Sequence, residues 1–133
     1  KSSFYIKRKM AKKILKQKEK KNIKLVYLKK STKSGKKYTA KFEIKYKNRD
    51  TVKTKTIHFG ASGYSDYTKH KDKDRRQRYI KRHTKDLRTN DPTRAGYLSM
   101  FILWNKKTFK SSLSDYKRRL SKYNKTGKFD KKL

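Results

Sequence analysis

Between residues 38 and 46 the chain alternates strictly. Tyr38, Ala40, Phe42, Ile44 and Tyr46 fall on one side; Thr39, Lys41, Glu43 and Lys45 fall on the other. A period of two is the mark of a half-buried strand. Residues 23–29, IKLVYLK, and 51–59, TVKTKTIHF, have the β-branched and aromatic content of strands as well. A turn over Ser31 to Lys37, with Gly35, separates the first two runs, and Lys47 to Asp50 separate the second and third. Three strands at hairpin spacing predict an antiparallel meander with one wet, lysine-studded face.

The pattern then changes period. Gly60 to His70 read as a loop. Asp72 is a good N-cap, and Asp74 sits where a helix favours negative charge. The helix is predicted to run to about Leu87, with Ile80, His83, Thr84 and Leu87 as a narrow apolar stripe. Thr89 to Arg94, with Pro92, form a break. Gly96 then leads into the most apolar stretch, Tyr97 to Trp104, which predicts a buried helix covered on several sides. Tyr97, Phe101 and Trp104 are its expected core anchors, with Trp104 fully buried at the centre. Asn105 or Thr108 caps a last helix whose stripe is Phe109, Leu113, Tyr116 and Leu120. Residues 121–133 read as a basic C-terminal tail and 1–22 as a basic N-terminal arm. Within that arm Ile6, Met10 and Ile14 fall at helical spacing. The prediction is an α+β fold: one domain over 23–120, a three-stranded meander followed by two or three helices, between two basic arms.

Composition sharpens this picture. The chain of 133 residues carries 44 basic and 10 acidic side chains, a formal charge of +34. Leu, Ile, Val and Phe make up only about 18% of it, a value typical of disordered chains at such charge. Ten tyrosines and six phenylalanines argue for a small aromatic core instead. Self-repulsion on this scale opposes compaction, so a polyanion or an acidic protein is the expected partner. Lysine outnumbers arginine 34 to 10, which favours diffuse charge neutralisation over base reading. The absence of cysteine excludes disulfides, zinc ribbons and thiol catalysis. No apolar run approaches membrane-spanning length, and no stretch reads as a signal peptide.

Little in the chain reads as catalytic. His58, His70 and His83 with Asp66, Asp72 and Asp74 match no metal-ligand spacing. Gly60 to Gly63 lacks the residues of a phosphate loop or a dinucleotide fingerprint. No catalytic residue, metal or cofactor is expected. The one constellation with chemistry is Arg75, Arg76, Arg78, Arg82 and Lys85 beside Tyr64, Tyr67 and Tyr79. Such a set offers guanidinium groups for phosphate and rings for stacking. Its competing explanation is a solvated helix face beside core tyrosines.

The stretch HFGASGYSDYTKHKDKDRRQRYIKRH, followed by DPTRAGYLSMFILWNK, resembles a family of small basic proteins encoded by nucleocytoplasmic large DNA viruses. The likeness covers roughly residues 57–120 and carries a pattern of the form FG, GYSDYT, RY, RH, DP, AG and LWNK in that order. Leu98 and Met100 to Ile102 stand where those relatives often carry more tryptophan. The resemblance implies a virion or virus-factory setting and a structural, non-enzymatic role. The expected role is a minor capsid protein on the inner side of the shell, in contact with viral capsid proteins and with double-stranded DNA or an anionic inner membrane. The alternative is a sequence-nonspecific DNA-binding and condensing protein of the viral core.

Overall fold

A computed structural model describes residues 20–133. The expected helix through Ile6, Met10 and Ile14 lies outside the described residues. The three strands are β1 (Lys21–Lys30), β2 (Lys36–Tyr46) and β3 (Val52–Ala61), paired antiparallel in that order with β2 central. The α+β meander followed by helices is the architecture that the alternation predicted.

The register agrees with the side-chain chemistry, with one interruption. Ile23, Leu25, Ala40, Phe42, Ile44 and Phe59 meet on the covered face. Leu25 pairs with Phe42, but Tyr27 pairs with Lys41, so Val26 is bulged out of the ladder. A bulge reverses the facing of the strand residues beyond it. Leu28 therefore takes over as the inward residue, and Tyr27 turns to the open face beside the ammonium groups of Lys29 and Lys41, 4.7 and 5.9 Å from its ring.

The helices are α1 (Tyr67–His70), α2 (Lys73–His83), α3 (Ala95–Leu98) and α4 (Phe109–Thr126). The loop expected over 60–70 is thus shorter, since β3 reaches Ala61 and α1 begins at Tyr67. Asp72 caps α2 by accepting the N–H groups of Asp74 and Arg75. Its α-helical part ends at His83 rather than near Leu87, and Thr84–Thr89 continue as a 3-10 helix. At that junction the Thr84 hydroxyl donates back to the Ile80 carbonyl at 2.5 Å, a bond that competes with regular helix.

The apolar octet is not one regular helix. After α3, Ser99–Leu103 form a π-helical turn, closed by the Trp104 N–H on the Ser99 carbonyl at 3.2 Å. The wider turn lets Met100, Phe101, Ile102 and Leu103 all face inward. The extra residue rotates Trp104 out of the core direction. Trp104 is only partly buried, which corrects its expected place at the centre. The centre holds Tyr97, Phe101, Tyr116, Phe42 and Phe59. The two tyrosines at this centre satisfy their hydroxyls: Tyr97 donates to the Leu87 carbonyl and Tyr116 to the Pro92 carbonyl, each at 2.6 Å.

Thr108, not Asn105, caps α4, accepting the Ser111 N–H. The Phe109 ring is partly buried and stacks on Tyr38 at 4.9 Å. The expected basic tail over 121–133 is largely part of the folded unit. Residues 121–126 complete α4, and Phe129 packs edge-on against Tyr97 and Phe101 at 5.3 and 4.9 Å. Asn124 closes the edge of β1, its amide bonding both the N–H and the carbonyl of Ile23 at 2.9 Å. Among the described residues no helix is long and apolar enough to cross a membrane.

Candidate nucleic-acid interface

The sheet and α2 leave a cleft of about 460 Å³ between them. One wall is α2, which presents Arg75, Arg78, Tyr79, Arg82 and His83 to it. Positions i, i+3, i+4, i+7 and i+8 share a helix face. The opposite wall is the end of β3 and the loop to α1, including Gly60, Tyr64 and Asp66, with Lys37 from β2. Ser99, Leu103 and Trp104 complete the lining from the π-helical turn.

Each wall is fixed by its own local chemistry. Asp66 caps α1 by accepting the Thr68 N–H at 3.0 Å, and it also accepts the Thr68 hydroxyl. Its second oxygen accepts the Lys37 ammonium at 2.7 Å, a pair largely shielded from water. Gly60, near the end of β3, has φ +79°, a conformation that favours glycine, and a Cβ there would lie 2.9 Å from Leu103 Cδ1. On the other side, rings stack in a row. Trp104 lies 4.2 Å from Tyr79 and nearly parallel to it, and His83 lies 4.2 Å from Tyr79 as well. Burial pushes the Tyr79 hydroxyl up to about 12, so it stays protonated at neutral pH. Arg76 locks α2 in place, its Nε donating to the Asn105 carbonyl at 2.9 Å.

The predicted polyanion-binding set divides accordingly. Arg75, Arg78 and Arg82 are exposed along the cleft, and among the described residues no hydrogen bond or ion pair engages their guanidinium groups. Tyr64 is 75% exposed at the mouth. Tyr67 is buried, with the Arg76 guanidinium over its ring at 5.6 Å. Tyr67 is thus placed inside the fold, and Arg76 has its Nε engaged within it. Lys85 is exposed on the 3-10 helix and does not line the cleft. Lys37, Gly60, Leu103 and Trp104 line it without having been expected to. Only the Gly60 turn signal gave a hint of this.

The histidines serve other ends. The His70 Nδ1 accepts the Asp72 N–H at 2.9 Å, and burial, reinforced by the nearby Arg75 charge, lowers its pKa. His58 Nδ1 lies 2.8 Å from both the Ser31 and the Thr39 hydroxyls. Among the described residues no three His, Asp or Glu side chains group closely enough to hold a metal ion.

Several of the acids are engaged by internal cations or serve as helix caps. Asp66 pairs with Lys37, Asp91 with Lys55 and Asp115 with Arg118 and Arg119. Asp72 is a cap, and the two backbone N–H groups it accepts hold its carboxyl below the usual range. Among the side chains that line the cleft Asp66 is the one carboxylate, and Lys37 pairs with it, so the arginines dominate the field there.

Residues 26–83 match a family of unknown function (DUF5754). The match takes in most of the sheet, the loop carrying Tyr64 and the arginine face of α2, and it ends before Trp104. No curated protein and no solved structure matches the chain.

Proposed function

We propose that this protein binds double-stranded DNA through its phosphates, without reading base sequence, as a non-enzymatic component of a large DNA virus particle. The observation that carries the binding is the ridge of Arg75, Arg78 and Arg82. These are three exposed guanidinium groups on one helix face, without an ion-pair partner among the described residues, in a chain of formal charge +34. Successive arginines on a rigid helix track a phosphate backbone and position it, while base discrimination needs contacts to groove edges. The lysine excess acts in the same sense, because an ammonium group neutralises charge without the geometry that selects guanine.

The viral setting rests on the motif resemblance over residues 57–120. It favours a place on the inner side of the shell, as a minor capsid protein, where a basic surface would meet packaged DNA. The open face of the sheet, with Lys29 and Lys41 flanking Tyr27, offers a second basic surface there. That surface suits acidic loops of a capsid subunit or an anionic membrane. Co-sedimentation with DNA-free shells would support the shell contact.

The DNA reading is tested by filter binding over a salt series. Neutralising roughly five to ten phosphates gives a log–log slope of about −5 to −9. A slope near −1, or strong preference for one sequence, would refute it.

A further inference from the structure

Binding by phosphate contact alone leaves two features of the cleft without a use. The first is its depth. A duplex backbone needs a convex or flat basic surface, and the arginine face of α2 would serve without a cavity beside it. The cavity of about 460 Å³ falls within the roughly 300–1,000 Å³ typical of sites for small organic groups. The second is Tyr64. Among the described residues it is the most exposed of the large hydrophobic side chains, and it stands at the mouth of this cavity. Beside it the lining mixes aromatic and apolar side chains, Ala61, Leu103, Trp104 and Tyr79, with polar ones, Ser65, Ser99 and the Lys37–Asp66 pair.

A paired base cannot reach such a place, because its faces are stacked on its neighbours. An unpaired base can, and its flat π-face matches tyrosine and tryptophan surfaces whatever its identity. The phosphates on either side of it would then lie against the rim, where the guanidinium groups are. Both walls are already set by the Lys37–Asp66 pair, the Gly60 turn and the Arg76–Asn105 bond, so the cavity does not have to be made by the ligand.

Building on the nucleic-acid reading above, we infer that the cleft accepts one unpaired nucleotide, with its base between Tyr64 and the Trp104 wall and its phosphates on Arg75, Arg78 and Arg82. The nucleotide's source is either a single-stranded or frayed strand or a free nucleotide, and the chemistry of recognition is the same for both.

The chain carries its own reporter, since Trp104 is its single tryptophan and lines the cleft. The full chain is titrated with a short oligothymidylate, an abasic oligomer with as many phosphates, a duplex of equal length, and thymidine triphosphate. Tryptophan fluorescence is read alongside affinity. Oligothymidylate should quench Trp104 and the abasic oligomer should bind without quenching. Tyr64→Ala, at an exposed position, should weaken oligothymidylate roughly tenfold, within the range of one base–aromatic stack, and leave the duplex unchanged. Tyr64→Phe, which keeps the ring, should restore the parent affinity. Quenching by oligothymidylate alone assigns a strand as the source, and quenching by the triphosphate as well assigns a free nucleotide as a sufficient ligand. Equal quenching by the abasic oligomer, or a Tyr64→Ala variant that binds oligothymidylate like the parent, overturns the inference. A duplex bound with a steep salt slope while no probe quenches Trp104 overturns it too, and leaves the DNA reading standing. The DNA reading falls separately, on a salt slope near −1 or on strong preference for one duplex sequence.

Discussion

Asp115 is the acid on which the C-terminal half of the fold depends, and Asp115→Asn tests this. One carboxyl oxygen accepts from the Asn105 amide at 2.6 Å and from Arg119 Nε at 2.7 Å; the other accepts from Arg118 at 2.8 Å. Arg119 is only 7% exposed by its side chain, donates to the Asp130 carbonyl at 2.6 Å, and lies 5.0 Å from the Phe101 ring. The cluster therefore ties α4 to the π-helical turn and to the C-terminal segment. Burial alone would raise the Asp115 pKa, but hydrogen bonds from Arg119, Arg118 and Asn105 overcome it and hold the carboxyl down at about 2. A carboxyl that ionises there in the folded chain, against 3.8 without these contacts, favours the folded state by about 2 kcal/mol at neutral pH. The Arg118 contact supplies little of this, since its side chain is 60% exposed and such pairs are worth about 0–1 kcal/mol. The asparagine keeps the shape and leaves Arg119 without its main counter-charge. At pH 7 the variant should lose about 2 kcal/mol, which lowers the melting temperature by roughly 6–10 °C. The pH dependence has a definite sign. The folded-state pKa lies below the unfolded one, so the stabilisation is complete above the unfolded value and is lost as pH falls toward 2. Urea midpoints of parent and variant should thus converge between about pH 4 and pH 2. Equal midpoints at pH 7, or a gap that stays constant down to the lowest pH at which both fold, would refute the reasoning.

The packing sets two further outcomes. Phe129→Ala should cost about 3 kcal/mol in thermal unfolding, because a ring buried against Tyr97 and Phe101 is removed. Lys131→Ala, two residues on, is exposed and should stay within about 0.5 kcal/mol of the parent. Gly60→Ala should destabilise by about 1–3 kcal/mol, from left-handed strain and contact with Leu103 together. Gly35→Ala meets the same strain at φ +82° with no atom within 4 Å, so the difference between the two isolates the contact.

The sequence by itself determined the meander, because the alternation from Tyr38 to Tyr46 allows one register in which five apolar side chains leave water together. It also determined where two helices begin. Asp72 and Thr108 bond N–H groups within three residues of themselves, and such local bonds need no partner from afar. The direction of individual side chains lay beyond local reach. The bulge at Val26 reverses the facing of the rest of β1, and the π-helical turn moves Trp104 from the core to the cleft wall. Both are backbone adjustments that satisfy the packing of a whole layer. Phe129 looked like part of a solvated tail because its neighbours are charged, and only the aromatic cluster across the fold makes it core. The candidate site shows the same division at its finest. Arg75 and Arg76 are adjacent and chemically identical, yet about 100° of helical rotation separates them. Arg76 meets the Asn105 carbonyl and the Tyr67 ring, while Arg75 faces the cleft. Which arginine became structural was decided by where α2 docks, a property of the assembled fold and not of any segment within it.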